Sequence, residues 1–105
     1  MRERAVRLPA DVQQTVRALH PELKRRVRVA LDRLRTSPED GKALRGELEG
    51  WRSVRIGRFR IIYRETPLRI DVAAIGSRAS IYLETTRLLK REAGGQRSPR
   101  RRGGA

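Results

Sequence analysis

The chain has 105 residues, with 26 lysines and arginines against 12 acidic residues and a formal net charge of +14, which leaves room for one small domain with a single core. No apolar run reaches the roughly 18 residues of a membrane span, and the basic N-terminus leads into no apolar stretch of signal-peptide type, so a cytoplasmic protein is expected. With no cysteine and one histidine, His20, a disulfide framework and a zinc site lack ligands, and no metal or cofactor is expected.

Val6 and Leu8 alternate with charges over residues 4–8, the pattern of an edge strand ended by Pro9. From Asp11, placed as N-cap, Val12, Val16 and Leu19 recur at helical spacing. After His20-Pro21, a cap followed by a first-turn proline, Leu23, Val27, Ala30, Leu31 and Leu34 mark one face of a second helix, so the two form a hairpin. Residues 39–50 hold three glycines and read as a connecting loop.

From Trp51 the period changes to two. Ser53 to Ile56, Gly57-Arg58 and Phe59 to Arg64 read as a two-residue hairpin, and a third strand runs from Leu68 to Ile75 after a turn at Thr66-Pro67. Helical spacing returns over residues 79–91. The order β-α-α-β-β-β-α makes an α+β domain over residues 1–92, with the N-terminal strand and helix hairpin packed on one face of an antiparallel sheet. Residues 93–105 hold arginines, glycines and a proline without a large apolar side chain, and read as a disordered tail.

Of the 26 basic residues 23 are arginine, the side chain suited to bidentate phosphate contacts. The charge is concentrated between residues 51 and 82, which carry seven arginines and two acids. The two-residue turn pairs Arg55 with Arg60. It sets Val54, Ile56, Phe59, Ile61 and Tyr63 toward the helices and Ser53, Arg55, Arg60, Ile62 and Arg64 on the opposite face. Like charges directly opposite in a sheet repel, so the Arg55–Arg60 pair marks a place for an anion. A two-residue turn at Thr66-Pro67 sets Ala73 beside Arg60 and Asp71 diagonal to it, with Arg78 and Tyr82 beyond the strand end. Phosphate recognition follows, with Arg52, Ser53, Arg58 and Arg64 as further phosphate- or RNA-contacting residues.

The stretch from Lys42 to Tyr63, together with Ile75-Gly76-Ser77-Arg78 and Ile81-Tyr82, resembles the RelE/ParE superfamily of type II toxins. The resemblance implies a metal-independent, ribosome-dependent mRNA endonuclease, inhibiting translation and held inactive by a cognate antitoxin. By position, Arg55, Arg60, Arg78 and Tyr82 fall on the family's active-site residues. The chemistry implied is attack of a ribose 2′-OH on its adjacent phosphate. Ser53 stands where some relatives carry a lysine base, and an arginine does not replace it as proton acceptor near neutral pH. Two alternatives stand beside this reading: a ParE-type toxin acting on DNA gyrase, and a noncatalytic RNA- or ribosome-binding module.

Overall fold

The computed structural model describes residues 4–77 and 80–91; Arg78 and the tail expected from residue 93 lie outside the described residues. One five-stranded sheet has the order β1-β5-β4-β3-β2, with β1 at Ala5–Arg7, β2 at Lys42–Ala43, β3 at Arg52–Ile56, β4 at Phe59–Glu65 and β5 at Arg69–Gly76. The domain is α+β as expected. Its sheet is antiparallel except at the β1 edge, where Val6 lies across from Ile70 in a parallel pair.

Two helices, α1 (Ala10–Arg17) and α2 (Pro21–Leu34), form the hairpin. Pro9 rather than Asp11 stands at the N-cap of α1, and Asp11 lies in the first turn, where a carboxylate favours the positive end of the helix dipole. His20 caps α2, its Nδ1 accepting from the Glu22 N–H at 3.4 Å, and Pro21 opens the helix without wasting a donor. The apolar stripes of both helices, Val12, Val16, Val27, Leu31 and Leu34, pack on Ile56, Ile61, Tyr63, Ile70 and Val72 of the sheet.

A third helix, α3, covers residues 81–91 on the other sheet face. Ile81 packs there with Ile62 and Ala73 in a second, smaller core, with Trp51 and Tyr82 partly buried against it. Gly76 permits the approach, because a Cβ at that position would stand 2.7 Å from Ile81 Cδ1. Lys90 of α3 pairs with Glu47 at 2.8 Å.

The segment expected as a loop at 39–50 contains the short strand β2 and single helical turns at Pro38–Asp40 and Gly46–Leu48. Tyr63 organises it. The fully buried Tyr63 hydroxyl accepts from the Gly41 N–H at 2.9 Å and donates to the Pro38 carbonyl, while Arg52 Nη1 donates to the Gly41 carbonyl at 2.8 Å. Burial pushes the Tyr63 phenol pKa up, against the opposing pull of the Gly41 N–H and the Arg52 charge.

The first hairpin has the expected register, Ile56 across from Phe59 and Arg55 across from Arg60, turning through Gly57 at φ +60°. The second does not. Arg60 lies across from Gly76, and Asp71 lies across from Arg64, with a bulge between Ile62 and Tyr63 that leaves Ala73 as the extra residue of β5. The cause is that the last pair is Glu65 with Ile70, which leaves four residues between the paired positions in place of two, closed by Thr66 N–H to the Arg69 carbonyl (2.8 Å) and Arg69 N–H to Thr66 Oγ1 (3.0 Å). This moves the register by two residues, and the bulge adds one more.

Candidate phosphate-binding site

Strand alternation puts Ser53 and Arg55 of β3 on the face away from the helix hairpin, with Arg60, Ile62 and Arg64 of β4 beside them. Because Ile62 is buried under α3, the accessible part of this face lies along the α3 N-terminus. Tyr82 enters there from the first turn of α3. Its hydroxyl is 3.0 Å from Ser53 Oγ and accepts from Arg60 Nη1 at 2.9 Å, and the Arg60 guanidinium carbon stands 5.5 Å from the centre of the tyrosine ring.

The structure brings Ser53, Arg60 and Tyr82, each expected from the sequence at the site, into one hydrogen-bonded cluster, with exposed Arg55 directly across from Arg60. Arg64 is four residues further along β4, over the Trp51 ring at 4.5 Å and 3.7 Å from Asp71. Arg58 sits at the exposed hairpin turn. Arg52 belongs elsewhere: its guanidinium holds the Gly41 carbonyl beside Tyr63 on the helix-hairpin side. Ala73 is buried beneath α3 rather than beside Arg60.

The cluster suits an anion by arrangement as well as charge. Arg60 spends one N–H on Tyr82 and keeps its other donors, and a phosphate oxygen entering between Arg55 and Arg60 relieves their mutual repulsion. Each of the two hydroxyls can pass a proton to the other.

A second basic feature was not singled out from the sequence. An open groove of about 700 Å³ between α2 and β3 is lined by Arg25, Arg26, Val29 and Arg33 of α2 and reaches round to Arg55 of β3, with Asp40 as the one carboxylate among its lining residues. Its signal was present in the spacing, since positions 25 or 26, 29 and 33 of a helix share a face.

The mixed sheet with a helix hairpin on one face and a third helix on the other has the fold of RelE-like toxins. Residues 6–82 match the family model of the ParE toxin of the type II toxin–antitoxin system parDE, and the chain belongs to that family, within the RelE/ParE superfamily of type II toxins. Among solved structures it is similar to the toxin–antitoxin complex RelBE2 from Mycobacterium tuberculosis, with 27% identity and a TM-score of 0.63 over 72% of this chain and 99% of the matched one. No curated protein matches significantly. No helix among the described residues is long and apolar enough to cross a membrane.

Proposed function

We propose that this type II toxin is a cytoplasmic, ribosome-dependent mRNA endonuclease. The observation that carries the reading is the Tyr82 hydroxyl held between Ser53 and Arg60, with Arg55 across from Arg60. In the reaction a ribose 2′-OH attacks its adjacent phosphorus, the bond to the 5′ oxygen breaks, and that oxygen takes a proton. Arg60 and Arg55 stabilise the charge on the pentacoordinate phosphorus, and the Tyr82–Ser53 hydroxyl pair orients the nucleotide and relays protons. Arg78 joins this set through the sequence resemblance. Ribosomal positioning supplies the alignment that a cluster built of hydroxyls and guanidiniums does not supply by basicity. An acidic antitoxin that lays a segment over the basic surfaces, including the α2–β3 groove, blocks access.

The second reading is a ParE-type toxin acting on DNA gyrase without nuclease chemistry. It is favoured by the family matched and by a cluster that joins hydroxyls and guanidiniums without a carboxylate, amine or imidazole. Inducing the chain in cells and mapping transcript ends separates the two. Codon-phased cuts that vanish with Arg60→Ala are the expected result. Growth arrest with DNA damage and intact mRNA overturns the nuclease reading in favour of the second.

A further inference from the structure

We propose that a recess beside the Arg60–Tyr82 cluster is a nucleobase subsite with a preference for guanine. The inference rests on the RNA-cleaving reading and names the part of the substrate the neighbouring recess takes. The recess has a volume of about 150 Å³, the scale of one base, and its walls include Arg7, Trp51, Arg64, Asp71, Ala73 and Leu88. Trp51 precedes Ser53 by two residues, roughly 6.6 Å along an extended chain, and Ser53 shares the Tyr82 hydroxyl with the Arg60 guanidinium, so the recess opens about one nucleotide's length from that cluster.

Its walls have the chemistry of base recognition. Trp51 and Arg64 lie ring against guanidinium at 4.5 Å, and both kinds of plane stack bases. Asp71 is 8% exposed. Its Oδ2 is 3.7 Å from Arg64 Nη2, and its Oδ1 is 2.9 Å from Arg69 Nε at an angle that does not make a hydrogen bond. Among the described residues no other donor reaches the buried Oδ1, and a buried carboxylate oxygen left without a donor is costly. Oδ1 is sealed from the recess, so the acceptor open to a base is Oδ2, which accepts no hydrogen bond among the described residues and lies beside Arg64. Guanine carries two adjacent donors, N1–H and the 2-amino group, beside the O6 acceptor; adenine, cytosine and uracil lack that set.

Trp51 is the one tryptophan of the chain, so its fluorescence reports on the recess directly. The full chain is titrated with GMP, IMP, AMP, CMP and UMP, and with inorganic phosphate. The expected result is saturable quenching with a half-saturation for GMP about tenfold below that for IMP, which lacks only the 2-amino donor to a charged acceptor, and weaker binding of the other three. Asp71→Asn, checked for folding by circular dichroism, is expected to erase the GMP preference over IMP. The IMP comparison alters the ligand rather than the protein, so it stands whether or not that variant folds. Equal half-saturation for GMP and IMP, quenching by inorganic phosphate alone, or no quenching by any nucleotide overturns the proposal. These titrations need no ribosome and no cleavage: absence of mRNA cleavage in cells leaves a GMP-selective quench intact, and absence of the quench leaves transcript cleavage intact.

Discussion

Arg60 donates to the Tyr82 hydroxyl at 2.9 Å while its guanidinium carbon stands 5.5 Å from the centre of the same ring. Tyr82 is therefore held by two separable interactions, one to its oxygen and one to its π-face. Tyr82→Phe keeps the ring contact and deletes the hydroxyl shared with Ser53. It is expected to cut mRNA cleavage by about 100-fold, the scale of one positioned proton-transfer group, and to change stability by about 1 kcal/mol or less. Tyr82→Ala also removes ring packing against the second core, so its melting temperature falls by several degrees further. Single-turnover cleavage of ribosome-bound mRNA, with thermal melts of the same samples, measures both.

The arginines of the two faces are expected to differ in the salt dependence of RNA binding. Arg55 and Arg60 sit at the proposed phosphate position, whereas Arg52 is committed to the Gly41 carbonyl. Arg55→Ala and Arg60→Ala are each expected to lower the slope of log K against log salt by about 0.7, one single-strand phosphate contact. Arg52→Ala is expected to leave the slope unchanged and to reduce thermal stability. Binding isotherms for a short single-stranded RNA at three or more salt concentrations decide this.

Much of the site was legible because strand alternation and a two-residue turn are local. Gly57-Arg58 fixes Arg55 across from Arg60, and the period of two then assigns every residue of β3 and β4 to a face. The second hairpin depends on a Thr66 side chain closing a four-residue loop and on a bulge at Ala73, neither of which leaves a period in the sequence. A two-residue turn therefore predicts Asp71 diagonal to Arg60, whereas it lies across from Arg64. Arg52 misled for another reason: its neighbour Ser53 is on the site face, so by alternation Arg52 points the other way, toward a loop whose path only the tertiary structure reveals.

Gly41 carries a steric requirement that composition does not show. A Cβ at this position would stand 2.4 Å from the Tyr63 hydroxyl oxygen and 2.7 Å from the ring carbon Cε1, and Tyr63 is fixed in the core and cannot retreat. Gly41→Ala is expected to destabilise the fold by about 2 kcal/mol through overpacking, lowering the melting temperature by roughly 10 °C in a domain of this size. Pairing it with Tyr63→Phe in a double-mutant cycle should give a combined loss smaller than the sum, because both changes disrupt one contact.

Tyr63 also sets an alkaline limit on stability. Burial raises its pKa above the ordinary value of 10.0, so the folded state holds the phenol proton more tightly than the unfolded chain does. That preference stabilises the fold fully below about pH 10, the unfolded value. As pH rises above it the unfolded state releases the proton first, and the contribution is lost as pH passes through the higher folded value. Denaturant midpoints between pH 8 and 11 are therefore expected to hold steady and then decline. Tyr63→Phe leaves the Gly41 N–H without its buried acceptor and is expected to cost about 1–3 kcal/mol at pH 8, but its midpoint should decline less steeply above pH 10. Equal slopes for both chains would place the alkaline loss on other groups.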